Sequence, residues 1–512
     1  MKAVISIFLI FFSTYFFAQQ GIFNNQIVAN NLSVNEKLTE EHSKDYIITK
    51  YYHQSLFNLS QELEINLPTG RKIVAFFDKK YTYTNTAESF VYKIENEPFS
   101  ELVLSKYDSV ITGMYGSETG EKIMIFQTAP EIFALSVFDQ SKLDAQDSVL
   151  DTLEASLENS NQLKMANENV CAASTTCPPT VIDVMIIYTT AVKNQWSGLA
   201  QSNAQCATIV TNFNNSLVNS GVVNVSLNLS YSGEIIYTES GNISTDLSRL
   251  RNQTDGFMDD AHTLRDTYAA DLCALITSTP TDTCGLGYVQ SNPSNYNDTY
   301  AFTVSLRGCS VGNYTVAHEM GHNMGLHHDW YVSSSTTPCS HHHGYINQNA
   351  ILQGTSSPSN TRWRTIMAYT DQCTDAGIGC PKINRWSNPN LNYNGDPTGV
   401  NLLDPQPSYE VYGFQRFACA VSDFRSPNLN VNEISKKIKE IEIYPNPVKE
   451  TLFVKSPKNS KLKFDIINTV GQKMLSTSSS EISVKTMAKG EYFLMIYGDD
   501  KSFLGTKKFI VE

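Results

Sequence analysis

The sequence predicts an α/β domain in the middle of the chain, flanked by a small α+β unit on its N-terminal side and an all-β sandwich at its C-terminal end. Three observations lead there. Strand-like and helix-like apolar patterns alternate from residue 178 onward, whereas both flanks carry short alternating apolar runs between turn residues. All ten cysteines fall between Cys171 and Cys419. A length of 512 residues exceeds one compact domain and, at about 150 residues per domain, leads to three units.

The elements follow in order. Residues 1–18 read as a secretory signal peptide, with Lys2, an apolar run to Phe17 and then the small Ala18. That run, about 15 residues, is shorter than the about 20 that a membrane span needs. No later stretch is apolar for as long, so no stable span is expected. Residues 19–165 lack cysteine, carry strand-like KIMIFQ at 122–127 and IFALSVF at 132–138, and end in polar SLENSNQLKMANEN. Their place between a signal peptide and a cysteine-bearing region reads as a propeptide, with a permanent N-terminal domain as the alternative. Within 166–424, VIDVMIIYT (181–189), VNVSLNLSYSGEII (223–236), DLCALITS (271–278) and TYAFTVSL (299–306) read as strands. Met258, Ala261, Leu264 and Tyr268 recur at helical spacing between them. Residues 425–438 form a polar linker, and 439–512 form the sandwich.

Composition narrows the partners. Hydrophobic residues make up 41% and charged residues 17%, enough apolar surface for ordinary cores. A net charge of -13 excludes a general nucleic-acid binder, because phosphate neutralisation needs clustered Lys and Arg. Residues 426–512 hold 14 Lys against 10 Asp and Glu, a net of +4 that leaves -17 for the rest, so this end is a separate module. An even number of dispersed cysteines fits disulfides of an oxidising compartment better than a thiolate zinc cluster. Five disulfides are expected.

The chemistry is concentrated in NYTVAHEMGHNMGLHHDW, residues 313–330. His318 and His322 are four apart, so on a helix both imidazoles leave the same face and bind one cation. Glu319 adjoins the first ligand. Gly325 permits a left-handed turn that ends the helix and returns His328 as a third ligand. Three neutral imidazoles and one open position make a catalytic rather than a structural zinc site. Zinc there activates water, and Glu319 serves as general base and then general acid, which predicts peptide-bond hydrolysis. HExxH alone arises by chance in roughly one chain in a hundred of this length, and the added Gly and His make the extended motif far more specific.

HExxHxxGxxH followed by RTIMAYT resembles the metzincin signature, with Met367 and Tyr369 lying 39 and 41 residues after His328. The resemblance implies a zincin-like α/β fold, one catalytic Zn2+, Met367 as a hydrophobic floor beneath the metal, and Tyr369 either stabilising the oxyanion or simply packing. Asn323 and Asp329 in HNxGxxHD resemble the reprolysin pattern, which makes Asp329 a residue that orients the ligands. From about 180 to 404 the chain looks most like bacterial peptidyl-Asp metallopeptidases, which cleave before acidic residues. That specificity calls for a cation on the primed side, for which Arg362, Arg364 and Arg385 are candidates and Arg364 is preferred. His327 reads as a supporting or exposed residue, and His341, His342 and His343 as a loop or pocket rim rather than a second metal site. The residues do not tell whether calcium binds.

Metzincin zymogens are silenced by a propeptide Cys or Asp. Here only Cys171 or Cys177 could supply a cysteine switch, and cleavage upstream of Cys171 with all cysteines paired is preferred. YPNP, GEYFLMIY and KKFIVE over 439–512 resemble the sorting domain of the type IX secretion system, which implies that machinery as a partner, periplasmic transit and release outside the cell. A secreted monomer acting on proteins or peptides is the resulting expectation. An inactive protease-like adhesin or binding module is the alternative, and the intact Glu319 argues against it.

Overall fold

The computed structural model describes residues 20–146, 152–154, 171, 176–279, 281, 283–291, 296–425, 441–456, 462–468, 473–497 and 503–512. The signal peptide at 1–18, the junction at 155–170 and the 426–438 linker lie outside them. The chain divides into two units, Met1–Arg425 and Ser426–Glu512.

The N-terminal segment departs from the α+β expectation. It is a ten-stranded sheet, antiparallel throughout except where Gln20–Ile22 runs parallel to Leu63–Asn66, and its described helices are short, Glu40–Ser43 and Gln140–Gln146 among them. The strands Val110–Gly116, Lys122–Ala129 and Ile132–Phe138 account for this, since here both faces of the sheet are covered and apolar residues are needed on both. One face closes on Leu63, Tyr92, Leu104 and Phe133. The other contributes Met114, Met124, Phe126 and Phe138 to a core shared with the central domain.

The central domain is built on a six-stranded sheet. Val225–Ile235, Thr180–Thr189, Leu272–Thr277 and Phe302–Leu306 lie side by side and parallel, and the edge strand Gly285–Val289 is antiparallel to the last of them. Thr152–Glu154, from the N-terminal segment, adds to this edge in parallel, pairing Thr152 with Gly287. The four strands read from the sequence are present with slightly different ends, and the predicted helix occupies Asp260–Thr267. Helix Leu199–Asn219 packs between the central sheet and the N-terminal sheet and is buried over most of its length.

Four disulfides replace the expected five: Cys171–Cys339, Cys177–Cys419, Cys284–Cys309 and Cys373–Cys380. Cys206 and Cys273 are free and buried, one in the long helix and the other in a central strand. Burial raises both thiols, that of Cys273 to about 12, so each behaves as a small apolar side chain. Cys171 is bonded to Cys339, which removes it as the thiol of a cysteine switch.

The C-terminal unit consists of a three-stranded and a four-stranded antiparallel sheet that share a core of Leu452, Val454, Ile466, Leu494 and Phe509. Among the described residues no helix is long and apolar enough to cross a membrane.

Candidate active site

Helix Thr315–Asn323 carries the motif. Tyr314 enters it with φ 56°, and Gly325 leaves it with φ 82°. The N–H of Leu326 then closes on the Gly321 carbonyl at 3.0 Å, a turn that only a residue tolerant of positive φ makes without strain. His328 is thereby brought back to the face carrying His318 and His322, and the ligand atoms of the three lie within 4.8 Å of one another.

Backbone carbonyls set the tautomers. His318 Nδ1 lies 2.8 Å from the Ile366 oxygen and His322 Nδ1 lies 2.7 Å from the Leu326 oxygen. Carbonyls only accept, so the protons sit on Nδ1 and the Nε2 lone pairs turn toward the shared point. His322 Nε2 lies 3.1 Å from His328 Nε2. Three imidazoles converging with lone pairs directed inward are the donor set that a borderline divalent metal takes, so the residues fit such an ion.

Glu319 is wholly buried and faces the edge strand. That strand approaches because it carries glycine at two alternate positions. A Cβ on Gly285 would overlap the Glu319 carboxylate, and one on Gly287 would lie 2.9 Å from the Glu319 backbone oxygen. Asn323 ties the same helix to the sheet, its Nδ2 donating to the carbonyls of Tyr288 at 2.9 Å and Tyr300 at 3.1 Å. CGLGY held a signal for this packing, since two glycines on one face of a strand mark a close approach of backbone.

Met367 is fully buried under the motif helix, where a Cβ on Gly321 would stand 2.8 Å from its Sδ. Tyr369 stacks on His328 with ring centroids 4.0 Å apart. Asp329 is buried beside the same turn. Its carboxylate accepts from the Tyr369 N–H at 2.9 Å and the Tyr331 N–H at 3.0 Å, fixing the loop after His328 to the turn that follows Met367. Burial raises its pKa, and these N–H bonds oppose the shift.

The extra histidines are not an exposed rim. His327, His341, His342 and His343 are all buried, and the first and last lie in adjoining extended segments, with His327 N–H donating to His342 O at 2.7 Å. Burial lowers His327 to about 3 and His341 to about 4, and holds His342 well below its ordinary value. The cluster is therefore neutral at pH 7 and places no positive charge beside a bound cation. Cys339, His341 and His342 lie close together, but the Cys339 sulfur is bonded to Cys171 and supplies no thiolate.

His343 has the most direct link to the site. Its ring is stacked on Trp330 at 3.9 Å, with Nδ1 2.7 Å from the His328 carbonyl oxygen. His343→Ala is therefore expected to weaken metal binding by about 10–100-fold through loss of orientation of the third ligand. Competition with a chromophoric chelator measures this, and an unchanged affinity would assign His343 to packing alone.

Arg364 does not line an open pocket. It is completely buried, with Nε donating to the Ala368 oxygen at 3.1 Å, Nη1 to the Cys380 oxygen, and Nη2 to Asp144 Oδ1 at 3.1 Å. Arg362 closes a local loop on Ser357 and Thr355. Arg385 donates to the Asn219 carbonyl and lies over Phe99 and Tyr393.

Comparison with known proteins extends this picture. Residues 178–387 match the description Metallo-peptidase family M12, and residues 442–512 match Secretion system C-terminal sorting domain. A peptidyl-Asp metalloendopeptidase of Stenotrophomonas maltophilia (strain R551-3) is 34% identical over 310 residues, covering 60% of this chain and 67% of its own. Proteins of the same name from Xanthomonas campestris pv. campestris and Pseudomonas fragi are 37% identical over 221 residues and 33% over 187. They cover 43% and 36% of this chain, and 47% and 91% of their own lengths.

Proposed function

We propose that this chain, which belongs to the reprolysin-like metallopeptidases of family M12 and is a metalloendopeptidase, holds one zinc ion on His318, His322 and His328 and is exported as a zymogen that cuts proteins before acidic residues. The observation that carries this reading is the convergence of three imidazoles beside the buried Glu319 and an edge strand. When bound, zinc supplies Lewis-acid chemistry that makes water a nucleophile near neutral pH. Glu319 takes the proton of the attacking water and passes it to the leaving amine. The Ile366 and Leu326 carbonyls hold two imidazoles in the required tautomer, and Met367 supports the helix from below. Tyr369, stacked on His328, stabilises the oxyanion.

The acidic preference draws on the names of the relatives and on Arg364, a guanidinium that already meets a carboxylate. Export draws on the sorting domain at 442–512, with residues 1–18 as the leader and the C-terminal unit removed outside the cell.

Support for a detachable N-terminal segment comes from the helix it covers. Gln201, Gln205, Thr208, Asn212, Asn215 and Asn219 recur every three or four residues along Leu199–Asn219, one polar stripe. Contacts place that stripe under the N-terminal sheet, with Thr208 donating to Ser105 at 2.9 Å and Asn219 to Glu101 at 3.2 Å. The buried amides of Gln205 and Asn215 have no hydrogen-bond partner among the described residues. Each costs about 1–3 kcal/mol, which water restores once the cover leaves. Thr152–Glu154 lies along the edge strand, so the same segment covers the row of backbone groups to which an extended substrate would add.

The test uses the N-terminally processed protein and its Glu319→Ala variant, each incubated with a peptide library with and without a zinc chelator, and the products are sequenced. Cleavage by the wild type alone, lost with chelator and directed before Asp or Glu, is expected. Equal cleavage by the variant overturns the mechanism, and cut sites without acidic primed residues overturn the specificity.

A further inference from the structure

Arg364 is held in an unusual way for a specificity arginine. Two of its three nitrogens anchor it to the turn around Met367: Nε to Ala368, the residue after Met367, and Nη1 to Cys380, which the bond to Cys373 pins across a short loop. The third, Nη2, meets the Asp144 carboxylate at 3.1 Å, and the arginine side chain is 0% exposed while that of Asp144 is 23% exposed. Asp144 comes from helix Gln140–Gln146 of the N-terminal segment, and Gln140 Nε2 steadies its Oδ1 at 2.9 Å. The turn that carries Arg364 also carries Ile366, whose carbonyl fixes His318. The guanidinium is thus oriented from inside the protein at two nitrogens, while the carboxylate that meets its Nη2 comes from another segment, so departure of that segment leaves this edge positioned to meet a different carboxylate.

We infer that Asp144 occupies, in the full-length chain, the place that a substrate's acidic side chain takes after the N-terminal segment has gone, and that Arg364 Nη2 is the group that reads the acid. The inference rests on the acid-preferring reading above. Helix Gln140–Gln146 is then a built-in competitor for the specificity pocket, separate from whatever covers the metal. The planar guanidinium is suited to this because its remaining donors fix its orientation while one edge faces the carboxylate.

Two measurements test it. In the processed enzyme, kcat/KM is compared for two quenched peptides identical except for Asp or Asn at the first primed position, in wild type, Arg364→Gln and Arg364→Lys. A charge-assisted hydrogen bond predicts a ratio of about 10–100 in wild type, near unity in Arg364→Gln and partly restored in Arg364→Lys. In full-length chains nicked between the N-terminal and central units, the protein concentration at which activity appears on dilution reports release of the segment, and Asp144→Asn is expected to raise it about 10–100-fold.

Each result is decisive. No Asp preference in the wild type removes the acid-selecting reading itself. A preference that persists in Arg364→Gln leaves that reading intact and removes Arg364 as its source. A preference lost in Arg364→Gln with unchanged release in Asp144→Asn removes the mimicry. Should Arg364→Gln fail to fold, the Lys variant and the Asp144 measurement still decide, because a merely structural arginine does not alter the Asp-to-Asn ratio when exchanged for Lys.

Discussion

Glu319→Gln is expected to lower kcat/KM of the processed enzyme by about 10²–10⁴-fold, the usual contribution of a general acid–base group, while the metal content stays at that of the wild type. The separation of the two effects follows from the geometry. Glu319 follows His318 on the motif helix but contributes no atom to the three-histidine cluster. It is fully buried against Gly285 and Gly287 of the edge strand, so a neutral side chain of the same shape keeps the packing and loses only the ability to accept a proton. Metal analysis together with steady-state kinetics checks the prediction. A parallel loss of metal and activity would show that the carboxylate holds the site together instead of moving a proton.

The contrast between what was legible in the sequence and what was not has a physical basis in range. The helix from Thr315, its stop at Gly325 and the return of His328 are local, written in spacings of three, four and six residues and in one residue's tolerance for positive φ. Three of the four parallel strands were legible as apolar runs largely covered on both faces, and Val225–Ile235 was legible from its alternation of apolar and polar residues. The pairing of Arg364 with Asp144 was not, because 220 residues separate the partners and nothing in either neighbourhood predicts the other. Cysteine parity misled for a similar reason. Cys206 and Cys273 lie on a packed helix and a central strand, where a thiol serves as a small apolar group, so an even count did not require full pairing. The buried histidines 341–343 read as a rim because a polar run is usually exposed, yet the carbonyls of Gly325 and His328 give His342 and His343 partners inside. The N-terminal segment was mistaken for a mixed fold because the register of its strands is set across the sheet and not within each run.

Removing the metal is expected to lower the melting temperature of the full-length wild-type chain by about 8–16 °C and to leave that of His322→Ala nearly unchanged. The magnitude comes from linkage. A metal present at about 1,000 times its dissociation constant stabilises the native state by about 4 kcal/mol, and in a domain of 150–250 residues each kcal/mol moves the midpoint by about 2–4 °C. His322 is the residue to remove because its ring adjoins both of the others, with centroids 4.9 Å from His318 and 4.8 Å from His328. Its Nδ1 also holds the Leu326 carbonyl in the turn that brings His328 back, so alanine at this position both deletes a donor and loosens the third. Thermal melts of the two proteins with zinc and with chelator give four midpoints, and the prediction concerns their double difference. A chelator-sensitive midpoint in His322→Ala equal to that of the wild type would place the stabilising ion somewhere other than the three histidines.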